Sequence, residues 1–280
     1  MKTRVTTGVV GGLFAILVLC FMHTVALPIV ISMFCVIAVY EMETVSGLKN
    51  FPIMIATLLF AATIPFAFHF KIVFEKHVYI VFAIGYTLIL FLLMLLFYEK
   101  TKFEQVVIAL FSSVAISGSL SIIILIRDIY IKYPSYTKKE AVFFVLLALF
   151  ASWLTDTFAF FAGKKFGKRK LCPNISPKKT VEGAIGGVIG QTILSFILYF
   201  VFNKFFFTGE SHLSYAVVIL LSVFLSILSM FGDLTASTVK RGYGVKDFGT
   251  LFPGHGGVMD RFDSCLFVLP ALYAFAIITA

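Results

Sequence analysis

Four acidic residues stand where an apolar chain should exclude them. Asp156, Glu182, Asp233 and Asp263 each lie in or at the margin of a long hydrophobic run. A carboxylate at mid-membrane costs roughly 2.5–3.5 kcal/mol on insertion scales, so such residues face a bundle interior or a wet cavity and have a partner. The bland alternative is a helix end shorter than drawn, with the acid in water. The long apolar approaches to Asp156 and Asp233 argue against it there. From Asp233 to Asp263 the chain holds four carboxylates (Asp233, Asp247, Asp260, Asp263) and four cations (Lys240, Arg241, Lys246, Arg261). A nucleic-acid patch would be mostly basic. An equal mixture suits a polyphosphate bound with divalent metal, the carboxylates holding the metal and the cations the phosphates.

Spacing adds to this. Asp260 and Asp263 are three apart and would share one face of a helix. Pro253-Gly254-His255-Gly256-Gly257 precedes them. Glycines there let backbone approach a ligand, and a helix N-terminus offers free N–H groups to an anion, so the run predicts a phosphate-binding turn. His255 could touch phosphate or metal, or brace the turn. No Ser/His/Asp arrangement of nucleophile and base can be built from this loop. A second constellation occupies 163–180. Gly163-Lys164-Lys165-Phe166-Gly167-Lys168 fails as a P-loop, because the glycines are too close and no Ser or Thr follows the Lys. Plain positive-inside topology explains the cluster Lys165–Lys170. It explains Ser176-Pro177-Lys178-Lys179-Thr180-Val181-Glu182-Gly183 poorly. Ser176-Pro177 predicts a helix start, with Lys178 and Lys179 at its mouth. Gly183 with Gly187, and Gly186 with Gly190, are small-xxx-small pairs that predict close helix packing rather than chemistry. The four cysteines form neither a metal knuckle nor a redox pair and read as small buried apolar residues.

The elements that must carry these residues follow from composition. Of 280 residues, 60% are hydrophobic and 13% charged, and mean hydropathy is +1.02. Soluble domains sit nearer half apolar and a quarter charged, so a water-soluble enzyme is excluded, and disorder with it. The net charge of +9 belongs to membrane-flanking loops rather than to nucleic acid. Nine runs are long enough to cross a bilayer: 5–22, 25–41, 51–69, 78–98, 105–127, 141–162, 181–203, 215–236 and 262–280. Without period-two alternation a β-barrel is disfavoured, and the expected fold is all-α and polytopic. The first run imitates a signal peptide but lacks a clean cleavage site and reads as a retained helix. Lys and Arg concentrate in alternate loops that make the N-terminus inside and the C-terminus outside, although the basic loop 128–140 then falls outside. Residues 1–140 are apolar helices for packing and lipid contact. Residues 141–280 hold nearly all the polar chemistry, and their two motif loops, 163–180 and 237–261, face the same side.

The segment Ser237–Asp263 resembles the signature of the phosphatidate cytidylyltransferases (CDP-diacylglycerol synthases). That signature is Ser-x-apolar-Lys-Arg, four residues, Lys-Asp-x-small, two residues, apolar-Pro/Gly-x-His-Gly-Gly-apolar-x-Asp-Arg-apolar-Asp, with no departure here. Asp156 through Gly183, preceded by Trp153, is similar to the family's second motif. Residues 1–140 match only as apolar helices. The resemblance implies the reaction of CTP with phosphatidate to give CDP-diacylglycerol and pyrophosphate. It also implies Mg²⁺ dependence, a bacterial-type inner membrane with the site on the cytoplasmic side, and a homodimer. On this reading Asp233, Asp260 and Asp263 hold one or two metal ions, including Mg²⁺. Lys240, Arg241, Lys246 and Arg261 clamp phosphates, and Asp247 orients a Lys or a metal-bound water. Ser237, His255, Gly256 and Gly257 position phosphate. Asp156, Ser176, Lys178, Lys179 and Glu182 form the cavity floor or meet the lipid headgroup. Two alternatives stay open: a secondary transporter, since buried acids beside a basic mouth also suit an ion path, and another CTP-dependent lipid enzyme such as a kinase.

Overall fold

A computed structural model describes residues 2–71, 76–207, 213–254 and 256–280. The chain forms α1 (Lys2–Cys20), α2 (Ala26–Val45), α3 (Phe51–His69), α4 (Lys76–Leu96), α5 (Phe103–Arg127), α6 (Ile129–Lys132) and α7 (Lys138–Phe166). A two-stranded antiparallel hairpin follows, β1 (Lys170–Cys172) and β2 (Ser176–Thr180). The remaining helices are α8 (Val181–Phe205), α9 (Tyr215–Gly242), α10 (Met259–Phe262) and α11 (Cys265–Ile278). Among the described residues seven helical segments are long and apolar enough to span a bilayer: 26–45, 51–69, 103–127, 138–166, 181–205, 215–242 and 259–278. Val10–Cys20 and Ile80–Leu96 are shorter apolar stretches. The protein is therefore a helical, multi-pass membrane protein.

The chain falls into two compact units, Met1–Leu125 with Gly242–Arg261, and Ile126–Arg241 with Phe262–Ala280. This division follows chain contacts and differs from the cut at residue 140, which follows polar chemistry. The segment 242–261 joins the first unit through hydrogen bonds to Glu41 of α2.

In the first unit, Asn50 caps α3 by accepting from Ile53 N at 3.4 Å, with Pro52 in the first turn. Leu48, Ile53, Tyr86, Leu90, Val106 and Ala109 form a buried cluster, with Phe60 stacked on Tyr86 at 3.7 Å. Asn50 Nδ2 donates to Thr101 Oγ1 at 2.6 Å, tying α3 to the residues before α5.

In the second unit, α7 and α8 pack closely because α8 carries small residues on the contact face. A Cβ added at Gly183 would lie 2.8 Å from the Ala159 carbonyl. One at Gly187 would lie 2.8 Å from that of Thr155. The small-xxx-small pairs thus serve packing, as expected. A buried polar ladder ties α9 to these helices. Thr155 Oγ1 donates to Ser226 Oγ at 3.3 Å, Ser226 Oγ to Gln191 Oε1 at 2.8 Å, and Gln191 Nε2 to Ser195 Oγ at 2.8 Å. Ser229 Oγ donates to the Ser152 carbonyl at 3.3 Å, and Ser264 Oγ to the Ser229 carbonyl at 2.9 Å. With no water in the hydrocarbon core, such bonds fix the depth of one helix against the next.

Two local expectations change. Ser176-Pro177 is not a helix start; it lies in β2, and α8 begins at Val181. Thr180 takes the cap instead, its Oγ1 accepting from Gly183 N at 3.1 Å, and Pro177 sits in a two-stranded ribbon where it need not donate. The helix drawn through Asp260 and Asp263 is a single turn that ends at Phe262. Asp263 lies in the turn before α11, so the argument that spacing of three places both acids on one helical face does not apply.

Candidate active site

The second unit gathers three acids and two lysines. Asp156 comes from α7, Lys179 from β2, Asp233 and Lys240 from α9, and Asp263 from the turn before α11. Lys179 Nζ donates to Asp233 Oδ2 and lies 3.5 Å from Asp156 Oδ1. The ammonium also feels Asp263. Burial pushes the pKa of Lys179 down, but Asp156 and Asp233, the direct hydrogen bond and then Asp263 outweigh it. The net direction is up from 10.5, so the lysine is held charged. Asp263 is 5% exposed, and its Oδ1 accepts from Ser264 N at 2.7 Å. Packing seats it closely: a Cβ at Gly232 would meet the Asp263 carbonyl at 3.0 Å. Lys240 and Ser237, on the same helix as Asp233, are buried at 8% and 9%.

The hairpin frames this cluster. Glu182 accepts from Lys168 N at 2.9 Å and from Arg169 N at 3.1 Å, holding the strand entrance to the first turn of α8. Its carboxylate therefore anchors backbone. Arg241 Nε donates to the Ile175 carbonyl at 3.3 Å, tying the end of α9 to the hairpin turn. Lys178 is exposed, and Ser176 is half-buried.

The first unit holds the rest of the signature. Phe252 N donates to the Gly256 carbonyl at 2.9 Å, closing a reverse turn in which Gly254 and Gly256 adopt φ of 77° and 83°. Only glycine takes that conformation readily. His255, assigned to phosphate from the sequence, lies outside the described residues. Asp260 Oδ2 accepts from Phe248 N at 2.8 Å and from Gly257 N at 2.9 Å. Val258 N and Met259 N donate to Glu41 Oε1 and Oε2 at 3.0 and 2.8 Å. Of the two glycine amides expected to meet phosphate, that of Gly257 is thus engaged by a carboxylate. Lys246, Asp247 and Arg261 are exposed.

Sequence reasoning missed Glu41. It ends an apolar run and reads as an ordinary loop-side acid. Its partners are 217 and 218 positions away, and no local pattern encodes a contact at that range. Its one legible signal was an acid at the margin of a span, the criterion that singled out Asp156.

The acids suit a hard divalent cation by donor type, since all offer carboxylate oxygen. Among the described residues no group of three or more His, Cys, Asp or Glu side chains surrounds a common point. Lys179 instead occupies the cation position between Asp156 and Asp233. Their joint field thus already holds one positive charge. Of the acids assigned to metal, Asp233 and Asp263 lie in this unit, and Asp260 lies in the other.

Comparisons with known proteins identify the family. The profile of the cytidylyltransferase family matches residues 2–279. A phosphatidate cytidylyltransferase of Bacillus subtilis is 34% identical over 280 residues, covering 98% of this chain and 96% of that protein. The enzyme of the same name from Staphylococcus haemolyticus is 45% identical over 136 residues, 49% of this chain and 50% of its own length. That from Staphylococcus aureus is 44% identical over 137 residues, covering the same shares. With a profile that spans nearly every residue and a relative aligned end to end, the chain belongs to the cytidylyltransferase family.

Proposed function

We propose that the protein transfers the cytidylyl group of CTP to the phosphate of phosphatidate, giving CDP-diacylglycerol and pyrophosphate. The observation that carries this reading is the charged Lys179 of the hairpin, paired with Asp156 and Asp233 and near Asp263 on the adjoining apolar helices. The name shared by the relatives supports the choice of lipid. A lipid phosphate oxygen attacks the α-phosphorus of CTP, the bond to the β-phosphate oxygen breaks, and pyrophosphate leaves. With a second pKa near 6, that phosphate is already largely ionised at neutral pH and needs no general base. The obstacle is repulsion between two polyanions. Lys179, Lys240 and Arg241 lower it by placing fixed positive charge beside the phosphates, and Lys246 and Arg261 add positive charge to the signature loop. Ser237 and Lys178 contact phosphate oxygen, and Asp247 orients a lysine. Asp233 and Asp263 would hold Mg²⁺, and a bound metal would supply further charge neutralisation on the triphosphate.

The same reading places nine spans in a bacterial inner membrane, N-terminus inside and C-terminus outside. Both motif loops then face the cytoplasm, where CTP is. Residues 1–140 pack and face lipid, residues 141–280 carry the chemistry, and two copies associate as a homodimer. The test is purified protein with CTP, phosphatidate and Mg²⁺, assayed for both products. Equal release of CDP-diacylglycerol and pyrophosphate is expected. Release of CDP would mark a kinase, and nucleotide-independent flux into sealed vesicles a transporter; either result refutes the proposal.

A further inference from the structure

The segment from Phe248 to Met259 has little regular structure of its own, yet it carries the most distinctive residues of the chain. Four of its amides are held by two carboxylates. Asp260 takes Phe248 N and Gly257 N, and Glu41 takes Val258 N and Met259 N, one with each oxygen. Glu41 comes from α2, is 6% exposed, and belongs to the same compact unit as the loop. Two glycines press against it. A Cβ at Gly249 or at Gly257 would overlap the Glu41 carboxylate. The loop is thus folded around this one side chain, with Gly249 on one flank and Gly257 on the other.

We propose that Glu41 is a positioning residue for the reaction: its carboxylate templates the Gly249–Met259 loop and so sets where Lys246, Asp247 and Arg261 stand. The role rests on the cytidylyltransferase reading for its consequence in turnover, but not for its geometry. A carboxylate accepting two backbone N–H groups is a strong, charge-assisted anchor. The helix has no charged residue from Ala26 to Tyr40 and carries this acid where the loop meets it. The requirement for glycine at 249 and 257 follows from the close approach of Glu41 and needs no ligand to explain it.

Hydrogen–deuterium exchange in detergent reads the anchor without any assay of turnover. Gln at position 41 keeps one acceptor and turns an NH₂ towards the second amide. In Glu41→Gln, exchange in peptides covering 257–260 should rise about tenfold to a hundredfold, the range for loss of a charged hydrogen bond, while peptides of α7 and α8 stay unchanged. Glu41→Asp, which keeps the charge and retracts the carboxylate, serves where Gln does not fold. A double-mutant cycle then tests the contact. Gly249→Ala should raise KM for CTP about tenfold or more in the wild-type background, yet change it less than about twofold in Glu41→Ala, where the obstruction is gone. Unchanged exchange in both Glu41 variants, or an equal Gly249→Ala penalty in both backgrounds, overturns the proposal. Failure of the wild-type protein to make CDP-diacylglycerol would refute the reaction instead, and the exchange result would still judge Glu41.

Discussion

Replacing Lys179 with Met removes the positive charge and keeps much of the side chain's bulk. Its Nζ lies 3.5 Å from Asp156 Oδ1 and bonds Asp233 directly. Coulomb's law at an effective dielectric near 20 gives a gross attraction of about 5 kcal/mol for unit charges at that distance. The Lys179 side chain is 26% exposed, and those of Asp156 and Asp233 are 41% and 18% exposed, so solvent screening and ordering leave about 1–2 kcal/mol of folding stability, between the values for exposed and buried pairs. Turnover should fall further, by about a hundredfold to a thousandfold, the usual loss of one preorganised electrostatic group at a reacting centre. Thermal unfolding in detergent and product formation measure the two effects. The pH dependence of stability has a defined sign. The pKa of Lys179 is raised above 10.5 in the folded protein. Its contribution is fully present below the unfolded pKa and is lost as pH rises through the folded one. The stability gap between wild type and Lys179→Met should therefore be flat across neutral pH and close only at pH above 10.5. A variant that turns over within about threefold of wild type would refute the electrostatic role assigned from general magnitudes.

Other perturbations separate packing from chemistry. Gly187→Leu should lower the unfolding temperature and abolish turnover together, because even its Cβ would sit 2.8 Å from the Thr155 carbonyl, and Gly118→Ala is the control, with nothing within 4 Å. Asp263→Ala should abolish turnover while the protein stays monodisperse in detergent; near-normal activity would remove Asp263 from the site. Chelation of divalent ions should stop CTP consumption by wild type, and activity that survives exhaustive chelation would exclude a metal role for Asp233 and Asp263.

The helices were legible because a bilayer demands long apolar runs, and composition alone exposes them. That Asp156 and Asp233 need a partner was legible for the same reason, since an acid in such a run must be paired, and both find Lys179. Two features were hidden by competing local signals. Ser176-Pro177 carries a helix-start pattern, but Thr180 provides the cap that the chain uses. Asp260 and Asp263 have helical spacing, but the helix between them is one turn long. Glu41 was hidden by distance, since its role depends on a loop more than two hundred residues later. The Ser–Thr–Gln ladder was hidden because isolated hydroxyls in an apolar run look neutral until their partners are known.

Hydroxyls in and beside that ladder hold a carbonyl of their own helix. Ser152 bonds Ala148, Thr155 bonds Ala151, and Ser222 bonds Val218, at 3.0, 2.7 and 2.7 Å. Each segment can therefore enter lipid alone during biogenesis with these groups already satisfied, and exchange or share them only when a neighbour arrives. Insertion and assembly need not be simultaneous, and the acids of α7 and α9 can find their lysine after both helices are in the bilayer.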